Sequence, residues 1–398
     1  MRKFSAIVKG DRIIWIIFIF LSIVSLLAVY TSIGRTATYN MHRSPLVPTM
    51  RHLAFIVGGY ILVWLGSNTN YRFYARVSKA AFVGSILFLL VVLIVFKDRW
   101  IQIPIIGSFQ PSEIAKICLI IFLATILSQY NEKMGNKYFV PIVLIPILLT
   151  AGLILPKNLS SAIIVFVVSV VMMFVAGVDK KSLGKYLLIL MALAGIFVLI
   201  IVQMQSKGDE VFRSSTWYNR VAFWLHPELE EYSQENLSRM AVARGGLFGA
   251  GIGNTIHGRL MTQSQNDFIY AVIVEETGSF LGLIILGAYS WLYLRCVVIA
   301  RRCEKIFGKL ICVGMGTLIY FQALVHICVC VGVIPVTGQT LPFISYGGSA
   351  YLVMSFGLGA VQSIAHYEKQ CKARAERNAQ QSAVGRDVTQ HTPAVSGQ

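Results

Sequence analysis

Charged side chains are scarce in this 398-residue chain, where Asp, Glu, Lys and Arg together make up only 13% of the residues. Soluble domains usually carry about 25%, so the composition, with 56% hydrophobic residues, excludes a soluble protein. Acidic residues are rarer than basic ones. The chain has 18 Asp and Glu residues and 35 Lys and Arg residues, which gives a formal net charge of +17. Basic residues beside membrane spans record orientation more often than a polyanionic partner. We therefore expect no nucleic acid to bind.

We also expect neither an internal repeat nor a cleavable leader in this chain. A transporter built from duplicated halves leaves symmetry in its hydropathy, but the long polar interruption near 204–266 has no counterpart in the first half. The apolar run from Ile13 to Tyr30 has no small-x-small cleavage site, which predicts a retained first helix. All seven cysteines fall in predicted spans or on the predicted cytoplasmic side, so no disulfide is expected in the exported segments.

Apolar runs near the length needed to cross about 30 Å of hydrocarbon recur along the chain. They predict an all-α membrane protein of about ten transmembrane helices. The expected spans lie near 13–32, 52–67, 79–96, 112–129, 139–155, 159–177, 186–203, 268–292, 310–333 and 345–365. Every second connection is short and basic, which places both termini in the cytoplasm by the positive-inside rule.

This topology divides the chain into a membrane domain and a tail. Residues 1–367 form the membrane domain, with a large extracytoplasmic loop of about 204–267 between helices 7 and 8. A loop of that length and polarity is where an extracytoplasmic site would be built. Residues 368–398 form a cytoplasmic tail that we expect to be disordered, because its end is rich in Gln, Ser, Ala and Thr without periodicity.

Two ionisable residues stand at the start of the fourth span, where each charge costs roughly 2.5 to 3.5 kcal/mol on insertion scales. Glu113 and Lys116 lie three residues apart, so they share a helix face and can neutralise each other. The pair is either a structural ion pair or part of a polar pocket built with Arg99 and the turn 110–112. Ser112 in that turn is a candidate N-cap for the span.

Acidic residues also mark the start of the eighth span. Asp267, Ala271 and Glu275 are spaced i, i+4 and i+8, so Glu275 is predicted to lie beneath Asp267 and to share its cavity. Glu276 points in nearly the opposite direction. Asp267 itself has two interpretations, a helix N-cap that favours the helix dipole or a carboxylate placed for surface chemistry.

Two glycine-rich stretches lie on the predicted outer side. The run 245–254 is superficially similar to a nucleotide-binding loop, but it lacks the preceding strand that such a loop requires. A re-entrant or close-packed turn is the better interpretation, because glycine lets backbone approach another helix closely. The stretch 337–349 has the same character, with Gly and Pro interrupting the helix while hydroxyl groups offer hydrogen bonds.

Taken together, these motifs resemble those of the SEDS family, the shape, elongation, division and sporulation proteins that include FtsW, RodA and SpoVE. The resemblance runs from the first span to Tyr367. Its sharpest parts are Arg99-Trp100-Ile101, Phe109 to Glu113 with Lys116, Arg220 with Phe223-Trp224 and Pro227, Gly249 to Asn254, Asn266 to Ala271, Glu275-Glu276 and Pro335 to Ser349.

The resemblance implies a peptidoglycan glycosyltransferase that polymerises lipid II at the outer face of the bacterial cytoplasmic membrane during cell division. The 4-hydroxyl of an acceptor GlcNAc would attack C1 of a donor MurNAc with inversion, releasing undecaprenyl diphosphate. Implied partners are a class B penicillin-binding protein and other division proteins at the septum. A divalent cation, Mg²⁺ or Mn²⁺, is expected, and no organic cofactor.

By the same resemblance Asp267 is the catalytic base and a possible metal ligand. The expected substrate-binding or supporting residues are Lys116, Glu113, Arg99, Arg220, Trp224, Gln234, Glu275, Ser345 and Arg51. The basic members are candidates to stabilise the leaving diphosphate, and Glu113 would hold Lys116 in place.

This chain departs from the family pattern at several positions. Between the fifth and sixth spans, residues 155–161 have the sequence Leu-Pro-Lys-Asn-Leu-Ser-Ser. Compared with the Gln-Pro-Asp-Leu-Gly-Thr motif common in the family, this loop has no acidic residue and is one residue longer. The usual Asn of the ninth span is His326, and the Leu of the Thr-Gly-Leu-Thr-Leu-Pro motif is Gln339. Leu237 stands where the family pattern has a second polar residue after the Gln234 position.

Two other functional classes fit parts of the sequence. A flippase or transporter of a lipid-linked precursor would also need a polar cavity with intramembrane charge. It would not need a carboxylate at the outer mouth of a helix, because that position lies off a midplane transport path. The third class is a non-catalytic scaffold for division proteins.

Overall fold

The computed structural model describes residues 9–40, 46–95, 101–103, 107–129, 139–178, 184, 188, 220, 223–226 and 233–390. The described chain is almost entirely helical. Its helices are α1 (Arg12–Asn40), α2 (Leu46–Asn68), α3 (Tyr71–Val95), α4 (Pro111–Gln129), α5 (Phe139–Ile154), α6 (Leu159–Val175), α7 (Gln234–Gly245), α8 (His257–Leu260), α9 (Ile269–Arg302), α10 (Ile306–Cys330) and α11 (Gly348–Gln390).

Seven of these helices are long and apolar enough to cross a membrane, and α5 and α6 are shorter apolar helices. All of them coincide with predicted spans, which confirms an all-helical, multi-pass membrane architecture. The predicted seventh span, 186–203, lies outside the described residues except for position 188. The predicted loop of about 204–267 is described only in part.

A small hairpin between α3 and α4 was not predicted from the sequence. Strand β1 (Ile101–Ile103) pairs antiparallel with β2 (Gly107–Phe109), with Ile101 opposite Phe109. The chain then enters α4 at Pro111, where the fixed φ of proline suits the first helical position. Ser112 therefore lies inside α4, and the prediction that it caps this helix is wrong.

The spans differ in how much of their surface faces protein. In α4, α10 and α11, 78% of the apolar window is buried, compared with 22% in α2 and 33% in α3. Helices α4, α10 and α11 thus form the centre of the bundle. Helices α2 and α3 present most of their surface to the surroundings. Polar residues on α4 and α10 consequently face other protein groups rather than lipid.

The N-terminal residues Gly10 and Asp11 form a latch at the predicted cytoplasmic end. Asp11 Oδ1 accepts hydrogen bonds from the backbone N–H groups of residues 13 and 14, at 2.9 and 3.3 Å, and so caps α1. Its Oδ2 pairs with Arg295 of α9. Gln362 of α11 exchanges two hydrogen bonds with the Asp11 backbone, and Lys369 donates to the Gly10 carbonyl. Three distant segments are joined here.

We expect Asp11→Ala to lower the free energy of unfolding by about 1–3 kcal/mol, because it removes a helix cap and an ion pair together. Burial alone would raise the pKa of Asp11, but the hydrogen bond and charge of Arg295, together with the backbone N–H groups of residues 14 and 13, outweigh burial and lower it. The stabilisation should therefore be present at neutral pH and disappear as the pH falls through the acidic range.

Thermal unfolding in detergent at about pH 7 and about pH 3 measures this effect. Asp11→Asn is the matched control, because it keeps a cap acceptor and loses only the charge. It should be less stable than wild type at neutral pH and nearly equal to it in acid. Equal stability of all three forms at both pH values would show that the contacts of Asp11 do not stabilise the fold.

The last helix is longer than the sequence indicates. α11 continues to Gln390, whereas we expect disorder from residue 368 on. The segment after Tyr367 carries alternating charges at helical spacing, such as Lys372 with Glu376, and pairs of this kind support an exposed helix. Residues 391–398 lie outside the described part of the chain.

Candidate functional site

Asp267 lies at the N-terminal end of α9, which is the predicted outer end, directly before the N-cap residue. The N-cap is Phe268, whose side chain makes no cap hydrogen bond. Asp267 is partly exposed. Its backbone is held on both sides, because its N–H donates to the Gln263 carbonyl at 3.1 Å and its carbonyl accepts from Cys330 Sγ at 3.8 Å. Asp267 is thus adjacent to the N-cap position of α9 and does not occupy it.

Ser345 fixes the segment that precedes Asp267. Its buried hydroxyl donates to the Asn266 carbonyl at 2.8 Å and accepts from Leu341 N–H at 2.8 Å. The next residue, Tyr346, donates its N–H to the Gln265 carbonyl at 2.9 Å. The stretch after α10 therefore lies along residues 265–267 and sets their position.

The same stretch contains a strained residue. Phe343 has a φ of +64°, the only positive φ of a non-glycine residue in the described chain. Bulky side chains rarely adopt this conformation, and it persists only where packing imposes it. Phe343 is buried between Phe18 and Tyr351, with ring centroids 5.1 and 5.8 Å away. The aromatic cluster thus holds the turn that carries Ser345.

Glu113 and Lys116 form the ion pair that their spacing predicts. Lys116 Nζ lies 2.8 Å from Glu113 Oε1, and both side chains are almost completely buried. Lys116 also donates to Gln322 Oε1 of α10 at 3.1 Å, and Gln322 Nε2 donates to the Thr340 carbonyl at 3.2 Å. The pair is therefore connected through Gln322 to the backbone of the 337–346 stretch.

Three of the four departures from the family pattern, the 155–161 loop, His326 and Gln339, contact one another. His326 Nδ1 lies 2.8 Å from the Gln339 carbonyl. The Gln339 side chain donates to Asn158 Oδ1 at 3.0 Å and to Ser161 Oγ at 2.9 Å. His326 Nε2 also lies 3.5 Å from Cys330 Sγ, which contacts the Asp267 carbonyl. The three departures thus form one hydrogen-bonded network that reaches Asp267.

Glu275 is fully buried and holds the segment between α7 and α9. Its carboxylate accepts from Thr255 Oγ1 and from the backbone N–H groups of residues 256, 257 and 258. It also pairs with Arg244 Nη1 at 2.9 Å and lies 3.0 Å from His257 Nδ1. Glu275 thereby fastens α7 and α8 to α9. These contacts indicate an anchoring role for Glu275, which the sequence did not predict.

The glycine-rich run 245–254 packs backbone to backbone against α9, as the sequence predicts. α9 is broken at Gly278, whose φ is +86°. Ala250 and Gly251 donate to the carbonyls of Glu275 and Glu276 at 2.9 and 3.0 Å, and Ser279 donates to the Gly246 carbonyl at 2.9 Å. A Cβ at Gly278 would overlap the Leu247 carbonyl, so only glycine fits there.

Three predicted site residues hold neighbouring loops rather than Asp267 directly. Arg220 Nη1 donates to the Val336 carbonyl at 3.1 Å, and Trp224 Nε1 donates to the Gly332 carbonyl at 3.0 Å. Gln234 Nε2 donates to Thr262 Oγ1. Through these contacts, α7 and the residues before it join the loop after α10 to the loop before Asp267.

Glu235 stands next to this junction and accepts from Val336 N–H at 3.2 Å. Burial raises its pKa, although the Val336 N–H and the positive charges of Arg239 and Arg220 oppose the shift. The carboxyl group is thus enclosed by its neighbours. Its contacts place it in the loop junction and not at the open surface around Asp267.

The remaining predicted residues are Arg51 and Arg99. Arg51 is exposed and close enough to Tyr346 to interact with it electrostatically, so it lies near the Ser345 turn. Arg99 lies outside the described residues. Within the described part of the chain, no three or more His, Cys, Asp or Glu residues form a group that could hold a metal ion.

Sequence reasoning missed Gln322 and Cys330. Gln322 is a buried amide in an otherwise apolar span, and that polarity was the available signal. Cys330 gave no signal, because a cysteine in a span is usually packed as a small apolar residue.

The sequence matches the FtsW/RodA/SpoVE family model, described as cell cycle protein, over residues 11–370. It is 29% identical over 367 residues to the probable peptidoglycan glycosyltransferase FtsW of Coxiella burnetii, a match that covers 88% of this chain and 95% of that protein. It is 31% identical over 373 residues to stage V sporulation protein E of Bacillus subtilis, covering 90% and 98%.

A chain from a solved peptidoglycan synthase complex has a similar fold. The TM-score is 0.66 at 25% identity, and the match covers 89% of this chain and 98% of that chain. That structure is described as showing structural coordination of polymerization and crosslinking. Agreement over nearly the full length of both chains indicates a shared fold and not a shared module.

Proposed function

Because this chain belongs to the FtsW/RodA/SpoVE family of cell cycle proteins, we propose that it is a peptidoglycan glycosyltransferase that polymerises lipid II, with Asp267 as general base. One observation carries the assignment of Asp267. Asp267 lies at the N-terminal end of α9, the predicted outer end, beside and not at the N-cap position, and its backbone is held by Gln263 and Cys330. A carboxylate on a fixed backbone at that place suits surface chemistry.

The chemistry requires such a group. A sugar hydroxyl is a poor nucleophile at neutral pH, and a positioned carboxylate that accepts its proton typically contributes about 100-fold to 10,000-fold. Asp267 accepts the proton of the acceptor 4-hydroxyl as that oxygen attacks C1 of the donor sugar. The Ser345 turn and the Cys330 contact act on this step by holding the Asp267 backbone at a fixed place.

A divalent cation fits the residues at this site. Mg²⁺ usually binds through one or two carboxylates, substrate phosphates and water rather than through an all-protein cage. Asp267 is a single carboxylate of this kind, and it would hold the ion together with the substrate diphosphate. When bound, the cation supplies positive charge that stabilises the departing diphosphate.

Lys116 acts in this proposal as a positioning residue. Its ammonium group is buried and already bonded to Glu113 and Gln322, so its charge is used inside the bundle. Through Gln322 and Thr340 it supports the stretch that carries Ser345. Arg51 is a better placed contact for the diphosphate, because it is exposed beside Tyr346.

The partner and location follow from the same reasoning. A class B penicillin-binding protein is the proposed transpeptidase partner, since the structural neighbour comes from a complex that joins polymerization to crosslinking. The proposed location is the cytoplasmic membrane at the division septum, with both termini in the cytoplasm. The basic connections between spans support that orientation.

Reconstitution tests the proposed function. The purified chain in liposomes, given lipid II and Mg²⁺ with and without a class B penicillin-binding protein, should form glycan strands that are visible by gel electrophoresis. Chelation of divalent cations should reduce the product. If no polymer forms in either condition, while labelled lipid II crosses the bilayer, the chain is a transporter instead.

A further inference from the structure

The segment between α7 and α9 has an apolar tip, residues 245–253, that carries no polar side chain. Its sequence is Gly-Gly-Leu-Phe-Gly-Ala-Gly-Ile-Gly. The large side chains of the tip are open to the surroundings, since Leu247 is 69% exposed, Phe248 83% and Ile252 70%. Large exposed apolar patches mark surfaces that meet another protein or a membrane. The apolar tip therefore indicates an interaction surface.

The lipid-facing side of α9 adjoins the apolar tip. Phe280 donates its N–H to the Leu247 carbonyl at 3.3 Å, so the two residues are neighbours. Phe280 and Leu283 are 63% and 64% exposed, on a helix that is long and apolar enough to cross a membrane. Exposed apolar side chains on such a helix face lipid. The apolar tip continues this surface.

Helix α1 shows the level of the apolar tip in the membrane. From Ile13, where its apolar run begins, to Thr31 the helix rises about 27 Å. Thr31 contacts Glu276 of α9, and the tip packs against Gly278, directly beyond it. Because the hydrocarbon core of a bilayer is about 30 Å thick, the tip lies at the outer edge of that core.

The backbone of the apolar tip is hydrogen-bonded to α9, as it must be where water is absent. Ala250 and Gly251 donate their N–H groups to carbonyls of α9, and the Gly246 and Leu247 carbonyls accept from N–H groups of α9. The Ala250 carbonyl also accepts from the Asn254 side chain at 3.1 Å. A non-helical segment whose polar groups are paired in this way is compatible with lipid.

Two arginines flank the apolar tip. Arg244 precedes it and pairs with Glu275 at 2.9 Å. Arg259 lies on α8, is exposed, and forms no ion pair in the described part of the chain. Basic residues beside exposed Phe and Leu side chains are typical of segments that lie in the membrane interface, with their apolar side chains buried about 5–10 Å. This pattern favours lipid over a protein as the partner of the tip.

We propose that the apolar tip inserts into the outer leaflet of the membrane. Leu247, Phe248 and Ile252 lie among the acyl chains of its phospholipids, and Arg259 lies at the level of their phosphate groups. The segment between α7 and α9 is then held at the membrane surface by lipid as well as by its bonds to Glu275.

Fluorescence quenching in liposomes that contain only the full chain tests the insertion. Phe248→Trp keeps an aromatic side chain at the tip, and phospholipids with bromine on their acyl chains quench tryptophan only on contact. After subtraction of the wild-type emission, most of the emission of this variant should be lost in brominated liposomes. Gln263→Trp is the control, because Gln263 is exposed in the loop before Asp267 and its replacement should keep its emission.

Leu247→Cys gives a second measurement at the tip. In the same liposomes, a membrane-impermeant maleimide should label it at least about tenfold more slowly than Gln263→Cys, because lipid excludes the reagent. Both rates are corrected for the labelling of the native cysteines in the wild-type chain. After unfolding in dodecyl sulfate the two variants should label equally, so that a slow rate is due to the position of the tip.

Unquenched emission of Phe248→Trp, or labelling of Leu247→Cys as fast as that of Gln263→Cys, places the tip in water and overturns the proposal. Protection that appears only after another membrane protein is added also overturns it, because a protein then covers the patch. Neither measurement uses turnover, so its outcome is independent of the proposed function. A chain whose tip is inserted but that makes no glycan contradicts only the function.

Discussion

Asp267→Asn should reduce lipid II polymerisation by at least about 100-fold while the protein stays folded and inserted. Asparagine has nearly the shape of aspartate, but it cannot accept the proton of the acceptor hydroxyl or hold a cation as a carboxylate does. The helix should tolerate the change, because Phe268 and not Asp267 is the N-cap of α9. The contacts of Gln263 and Cys330 use only the Asp267 backbone and should survive.

Initial rates of glycan synthesis in liposomes measure this effect, with thermal unfolding as the check on folding. Asp267→Glu is the matched control, because it restores the charge and moves it by one methylene. A rate between those of wild type and Asn would show that placement matters as well as charge. Near wild-type polymerisation by Asp267→Asn would remove Asp267 from the mechanism and return the transporter and scaffold alternatives to consideration.

Lys116→Met should be the most destabilising single change in the bundle centre, at about 3–5 kcal/mol. Methionine fills a similar volume, so the loss arises from the broken ion pair. Glu113 would be left buried without its partner, and Gln322 Oε1 would lose its donor. The yield of folded protein and its unfolding temperature in detergent should both fall.

The double variant Glu113→Gln with Lys116→Met separates the ion pair from its supporting role. It removes both charges, so it should recover most of the stability lost in Lys116→Met. Polymerisation should remain low in both forms, because the link from Lys116 through Gln322 to the Thr340 carbonyl is lost. Normal polymerisation by the double variant would reduce the pair to a purely structural element.

The spans were predictable because twenty or so apolar residues in a row have few alternatives to a membrane helix. The Glu113–Lys116 pair was predictable for a similar reason, since helical spacing fixes which side chains are neighbours. The anchoring role of Glu275 was not predictable, because its partners, Thr255 to Gly258 and Arg244, precede α9 in a segment whose return to α9 is not encoded by periodicity.

Contacts between segments far apart in sequence also could not be predicted. Asn158, His326 and Gln339 each depart from the family pattern, and nothing in the sequence of one of them points to the other two. Only the fold shows that they form one network. The helical extension beyond Tyr367 was missed because a polar helix has no apolar stripe by which it could be recognised.

The break of α9 at Gly278 has a consequence for biogenesis. A spanning helix normally satisfies its own backbone, but here Ser279 and Phe280 donate to carbonyls of residues 246 and 247. Residues 245–251 are synthesised before α9, and their backbone must lie beside α9 for these hydrogen bonds to form. The backbone of α9 around Gly278 is therefore satisfied only when both segments are in place, so the two must fold as one unit.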